Sequence, residues 1–279
     1  MASKSRAAGS GRLDVGSLLG APIAVGLILI GQAIEGGSVR TLLQLASALI
    51  VFGGTLGAVL LSFGSADVMR AVKSLRTVYT DPVEPAATVI ARVLAYSNKA
   101  RRVGVLSLES ELEFEPDPFL RRALSMAVDG TSQTQIRHAL EVELELLAEQ
   151  DEVPARVFES AGGYAPTIGI LGAVVGLIQV MGHLTEPSKL GSGIAVAFVA
   201  TIYGVGSANL ILLPLASKLR QRAEAATRRR EMLIDAALAV QEGLNPRLIE
   251  QRFSGFTAPQ ITNTRHVPPA TMAVRPKAS

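Results

Sequence analysis

Four apolar runs divide the chain: Leu18 to Ile34, Leu42 to Phe63, Tyr164 to His183 and Leu190 to Leu213. The last two, YAPTIGILGAVVGLIQVMGH and LGSGIAVAFVATIYGVGSANLILL, are separated only by the short loop Leu184 to Lys189. As α-helices they would reach about 30 and 36 Å, and a bilayer's hydrocarbon core is about 30 Å thick. Neither contains Asp, Glu, Lys or Arg. Small residues recur along both: Gly169, Gly172 and Gly176 in the first, Ala197, Ala200, Gly204 and Ala208 in the second. In lipid, small residues spaced by about one turn let two helix backbones approach closely. The pattern predicts a tightly packed transmembrane hairpin. Leu18 to Ile34 and Leu42 to Phe63 predict two further spans, and Gly53 and Gly57 add another small pair to the second of them.

The stretch from Gly64 to Gly162 is hydrophilic, rich in acidic residues and periodic like a helix. Between Ser132 and Glu152, Ile136, Leu140, Leu144 and Leu147 recur on one helical face, with Glu141, Glu143, Glu145 and Glu149 around the remainder. Pro82, Pro85, Pro116, Pro118 and Pro154 predict helix starts or breaks. No alternating strand pattern is present. Beyond Pro214 runs a basic helix with a weak apolar stripe of Leu219, Ala223, Ala226, Leu233 and Ala237. The expected organisation is all-α and polytopic: a basic tail over 1–14, spans one and two within 15–63, and a helical domain over 64–162. Spans three and four follow within 163–214, then a basic helix over 215–256 and a disordered Pro- and Thr-rich tail over 257–279.

At 48% hydrophobic and 18% charged residues, the chain is too apolar for an ordinary soluble domain and too charged to lie wholly in lipid. Its net charge of +3 gives no reason to expect nucleic-acid binding. With no cysteine, disulfides and thiolate metal sites are excluded. His138, His183 and His266 have no ligand spacing, and no phosphate-binding glycine loop, HExxH or GxSxG motif occurs. Neither an enzyme nor a cofactor is expected. Lys4, Arg6 and Arg12 precede the first span and a basic run follows the last, whereas the two short loops at Glu35–Arg40 and Leu184–Lys189 hold one basic residue each. That asymmetry predicts four spans with both termini and the 64–162 domain in the cytoplasm.

Candidate chemistry is sparse. No Asp, Glu, Lys or Arg lies in any of the four runs, so a chain that moves an ion by itself would lack a carboxylate carrier. Counting inward from the outer loop puts Ala173 and Thr201 at similar depth in an antiparallel hairpin. The Thr201 hydroxyl can bond its own backbone four residues back, or face a water-filled path. Pro166 and Pro214 lie near the two cytoplasmic ends and can bend their helices or simply punctuate them. In the hydrophilic domain Arg101 and Arg102 precede Gly104, and Glu109 and Glu111 follow it. On a helix, the spacing of seven would put Arg102 and Glu109 on one face. Such a run can be solvated surface or a face that selects a partner by charge.

Several segments together carry a family resemblance: ARRVGVLSLE (100–109), LSMAVDG (124–130), YAPTIGILGAVVGLI (164–178), AFVAT (197–201) and LLPLASKLRQR (212–222). In order and spacing, from about Leu13 to Phe253, the chain resembles the MotA/PomA family of flagellar stator proteins. The resemblance implies a subunit of the bacterial inner membrane, five copies of which surround two copies of a MotB-type single-span partner with an ion-carrying aspartate. It implies that the cytoplasmic domains push on the rotor protein FliG through Arg101, Arg102, Glu109 and Glu111. It further implies that Pro166 and Pro214 couple ion passage to conformational change and that Thr201 lines the path. Ala173 falls where sodium-driven members carry Thr, which implies a proton as the translocated ion. The alternative is an ExbB/TolQ-type energiser, which shares the glycine-rich final hairpin but has three spans and an outward N-terminus.

Overall fold

The computed structural model describes residues 15–79, 84–183, 185 and 187–257, and these are helical wherever they are regular. The expected tails, 1–14 and most of 257–279, lie outside the described residues. In order, the helices are α1 (Val15–Ile34), α2 (Val39–Leu42), α3 (Leu45–Ala48), α4 (Gly54–Ser62), α5 (Ser65–Tyr79) and α6 (Ala86–Val103). They continue with α7 (Glu109–Leu112), α8 (Pro118–Val128), α9 (Gln133–Met181), α10 (Pro187–Ser207), α11 (Leu213–Gln241) and α12 (Pro246–Thr257). Two π-helical turns bridge neighbours, Leu49–Gly53 between α3 and α4 and Ala208–Leu212 between α10 and α11, and a 3₁₀ turn, Val105–Leu108, precedes α7.

The frame is a pair of very long helices. α9 has 49 residues, roughly 73 Å at 1.5 Å per residue, and it packs along α10 and α11. Its start is a capping box, in which the Ser132 hydroxyl accepts the Gln135 N–H and the Gln135 side chain reaches back to the Ser132 N–H. The expected break at Pro154 does not occur: Pro154 and Pro166 both lie inside the uninterrupted helix. An internal proline costs about 3 kcal/mol, and packing offsets it here. Ala155 is buried against Leu219, while Val157 and Ala161 pack with Val59 and Ala71. Pro85 and Pro118 stand at helix starts as expected, Pro116 lies in the turn before α8, and Pro82 lies outside the described residues. Pro118 follows the N-cap Asp117, whose carboxylate accepts the Phe119 and Leu120 N–H groups at 3.0 and 3.3 Å.

Three helical stretches are long and apolar enough to cross a membrane: Leu45–Ser62, the apolar end of Gln133–Met181 and the start of Gly193–Gln241. Leu19–Ile34 forms a shorter apolar helix. The polar half of the molecule holds the main core, where Val89, Leu120, Leu124, Leu140 and Leu233 are fully excluded from solvent. Each such side chain contributes about 1.5–3 kcal/mol by leaving water. Leu144 and Leu147 pack against this core beside Ile136 and Leu140, as the periodicity predicts.

α11 is more central than its weak stripe suggests. From Met232 to Val240 every residue except Asp235 is buried, because α6, α8, α9 and α12 all pack on it. A helix apolar on all sides is an enclosed one. Ion pairs surround it: Arg230 meets Asp151 at 2.7 Å, Arg229 meets Asp117 at 3.1 Å, and Arg220 pairs with Glu159. At the centre of this network Glu115 is fully buried. It accepts the Tyr96 hydroxyl at 2.7 Å and the Asp117 N–H at 3.0 Å, with Arg92 at 3.2 Å. A buried carboxylate needs such partners, since losing them costs several kcal/mol. Burial first, and then its bond to Glu115, pushes the Tyr96 phenol well above its ordinary pKa.

Candidate ion path and rotor-facing surface

The hairpin seam is built from the small residues that mark it in the sequence. Gly169, Gly172, Gly176, Ala197, Ala200, Gly204 and Ala208 are all buried. A Cβ added to Gly204 would lie 2.5 Å from the Ala165 carbonyl oxygen, and one on Gly169 would lie 2.9 Å from that of Ala200. At Gly176 the obstacle is the Ala197 backbone nitrogen, also at 2.9 Å. The two backbones therefore touch, and no side chain larger than hydrogen fits these three positions without separating the helices. Gly53 and Gly57 behave differently, since a Cβ on either would meet nothing within 4 Å. The packed position is Gly54, where a Cβ would lie 2.8 Å from Ile168 Cγ2. The π turn at Leu49–Gly53 inserts a residue into the helical phase and moves the contact by one position.

Ala173 and Thr201 each follow by one residue a pair in contact across the seam, Gly172 and Ala200. They therefore sit at one level, as the count from the loop predicts. Both are half-buried. The Thr201 hydroxyl donates to the Ala197 carbonyl at 3.3 Å, so the backbone bond open to a helical threonine is made. That bond uses the hydroxyl proton and leaves its oxygen able to accept another.

The two prolines share one helix crossing. Gly162 lies one turn before Pro166 and presses on Leu213, immediately before Pro214: a Cβ there would lie 2.6 Å from Leu213 Cδ2. Pro214 has no N–H and its ring crowds the carbonyl four residues earlier. Directly before it the helix widens into the π turn Ala208–Leu212, with the Leu213 N–H donating to the Ala208 carbonyl. π turns of this kind relieve such crowding and mark places where a helix can change register. Arg220 and Glu159 form their ion pair just beyond the crossing.

At the far end of the polar half, α6 stops where the spacing argument assumed a continuous helix. Gly104 has φ +95° and ψ 158°, a conformation open to glycine alone among ordinary residues. Arg102 and Glu109 therefore do not share a helical face: they belong to different helices on either side of this turn. Arg101, Arg102 and Glu109 are exposed. Glu111 differs from them, because it holds Lys99 at 2.7 Å. Arg101 stands beside the turn that follows α11, its Cγ lying 3.8 Å from where a Cβ on Gly243 would stand. Ser97 donates to the Leu244 carbonyl beside it. The turn thus leans on the same helix that leaves the membrane-length segment at Pro214.

Two features escape residue-level reading of the chain. Val103 and Leu106 are 72% and 71% exposed on either side of Gly104, so the charges flank an apolar knuckle. Their composition is that of core residues, and only the turn reveals their exposure. Tyr203 is the other. Its hydroxyl donates to the Leu42 carbonyl and accepts the Gln44 N–H, while its ring stacks on Phe52 at 5.8 Å. Leu43 and Gln44 are extended and interrupt the helix, and Tyr203 satisfies backbone groups that the interruption leaves open.

The pattern describing the MotA/TolQ/ExbB proton channel family matches residues 111–232. The chain is similar to Motility protein A of Bacillus subtilis (strain 168), with 34% identity over 86% of this chain and 89% of that protein. A solved structure of C. jejuni MotAB superposes with a TM-score of 0.83 at 30% identity, covering 94% of this chain and 100% of that one. The flagellar MotAB stator complex from Bacillus subtilis gives 0.80 at 34% identity, over 88% and 96% of the two chains. With matches of that identity along nearly the whole of each relative, the chain belongs to the MotA/TolQ/ExbB proton channel family and, within it, stands with the Motility protein A relatives.

Proposed function

We propose that this chain is the membrane subunit of a flagellar stator, converting the passage of ions into torque with a MotB-type partner. The observation that carries the reading is the end-to-end superposition on MotAB chains, which takes in both the hairpin and the polar helical half. In this reading four segments cross the inner membrane, both termini face the cytoplasm, and five copies form a ring around the partner. Thr201 and Ala173 line the ion path, and the proline crossing transmits the change to the polar half. Arg101, Arg102 and Glu109 meet FliG, with Glu111 setting the turn's shape through Lys99. The ion is a proton, on the ground that one hydroxyl at the level of Ala173 and Thr201 offers too few ligands to replace the water shell of sodium.

No Asp, Glu, Lys or Arg occurs in α1, in Leu45–Ser62, in 164–181 or in 190–213. A proton crossing hydrocarbon needs a titratable carrier, so the partner must supply it, as an Asp near the level of Thr201. The test is proton flux into liposomes that hold the purified chain with and without the partner. The expected result is flux only with the partner, abolished when the partner's Asp is replaced by Asn. Robust flux from this chain alone, or flux indifferent to the Asp, would refute the reading.

A further inference from the structure

The turn at Gly104 is the tip of a closed arm, and one side chain ties the base of that arm to α11. The chain runs outward along α6, 18 residues or roughly 27 Å, turns at Gly104 and returns through α7 to Asp117, the N-cap of α8. Polar side chains join the two limbs like rungs. Lys99 on the outward limb holds Glu111 on the return at 2.7 Å, the Tyr96 hydroxyl donates to Glu115 at 2.7 Å, and Arg92 meets Glu115 at 3.2 Å. Nearest the base, Arg92 pairs with both carboxylate oxygens of Glu84, just before α6 begins. Arg229 then reaches in from α11. Its Nη2 lies 3.4 Å from Glu84 Oε2 and 3.1 Å from Asp117 Oδ2, so one guanidinium spans the first and last residues of the arm. No other ion pair among the described residues joins α11 to the segment 84–117. The Arg229 and Asp117 side chains are only 24% and 15% exposed, so salt screens this pair less than a surface pair.

We propose that Arg229 is a positioning residue for torque: it clamps the base of the arm to α11, so that force passing between the membrane half and the turn meets a stiff lever. Three observations select it. The apolar core that α11 shares with α6 and α8 also holds the arm, but burial is non-directional and packed helices can slide in shear. Charge-assisted bonds to two carboxylates fix direction as well as distance. The bridge also stands at the base of the long limb, where a small tilt is multiplied before it reaches Arg101 and Arg102 at the tip. Finally, the Nε–H groups of Arg92 and Arg229 are buried without an acceptor, and each such group costs about 1–3 kcal/mol. The two guanidiniums are thus placed for what they bridge and not for full pairing. α11 runs unbroken from Pro214 to Arg229, so the clamp completes a continuous path from the proline crossing to the turn.

This role rests on the stator reading, and the test keeps the two apart. Flagellated cells carry the full chain with its partner, and the rise in bead speed as each single stator engages is measured at high and at low load. Proton flux of the same variants with the partner is followed in liposomes, and membrane levels by immunoblot. Arg229→Gln should give smaller steps at high load, where a loose arm yields, with near wild-type speed at low load and unchanged flux and levels. Arg229→Lys keeps the charge without the planar fork that spans two carboxylates, and should fall between. The Glu84→Gln/Asp117→Asn variant should match Arg229→Gln, since Asn preserves the cap of α8. Arg122→Gln, which removes the ion pair of α8 with Glu143 on α9, should behave as the wild type. Full steps at high load in both Arg229→Gln and the double variant would overturn the proposal. So would steps that shrink equally in Arg122→Gln, or a torque loss that merely follows loss of flux or of chain from the membrane, which would make the bridge structural only. A wild-type chain that conducts protons with its partner yet drives no rotation would instead sink the stator reading itself.

Discussion

Adding one methyl group to the hairpin should have opposite effects at two glycines only two residues apart. At Gly204 the new Cβ would stand 2.5 Å from the Ala165 carbonyl oxygen and 3.0 Å from Gly169 Cα, both backbone atoms that cannot rotate aside. An ordinary contact needs roughly 1 Å more, and a gap of that size forfeits a quarter to a half of each contact along the seam. Overpacking of this kind costs about 1–3 kcal/mol. At Gly206 a Cβ would meet nothing within 4 Å, and Ala there gains up to about 1 kcal/mol of helix propensity. The two variants should differ by about 1–4 kcal/mol, or roughly 2–16 °C in melting temperature for a chain of this size. Thermal melting of the detergent-solubilised complex measures it, with proton flux as a functional readout. A Gly204→Ala protein that melts at or above Gly206→Ala would show that the backbones are not in contact and would refute the seam as drawn.

Arg101→Glu should lower swimming torque while leaving membrane levels intact, and reversing an opposing rotor charge should restore part of it. Torque from tethered cells decides this, and normal torque in the variant would return Arg101 to the solvated surface. Swimming speed should collapse with a protonophore and be indifferent to external sodium, whereas sodium dependence with protonophore resistance would overturn the proton assignment. The Tyr96 phenol, raised by burial and by Glu115, keeps its proton in the folded state while the unfolded state ionises near pH 10. Its stabilisation is therefore full below that pH and falls as the pH rises above it. Chemical denaturation should show this alkaline decline in the wild type and a shallower one in Tyr96→Phe.

Span length, the seam and the periodic face of α9 were legible in the chain because each is a local property. Hydropathy over about 20 residues sets what can cross a bilayer. The absence of a side chain at Gly169, Gly176 or Gly204 sets where two backbones can meet. The common level of Ala173 and Thr201 followed by counting from one loop. What the chain could not disclose depended on contacts between distant segments. Pro154 predicts a break, yet α9 runs through it because Ala155 and Val157 are held from outside the helix. The spacing of Arg102 and Glu109 predicts a shared face, yet the positive φ of Gly104 parts them. Gly53 and Gly57 carry the spacing of a contact that Gly54 makes, because a π turn shifts the phase. Residues 232–240 show at most a weak stripe, since enclosure by four other helices is not a property of their own order. Composition and periodicity are written along one dimension, whereas burial, helix continuity against an internal proline and exposure of an apolar knuckle are decided by what packs alongside.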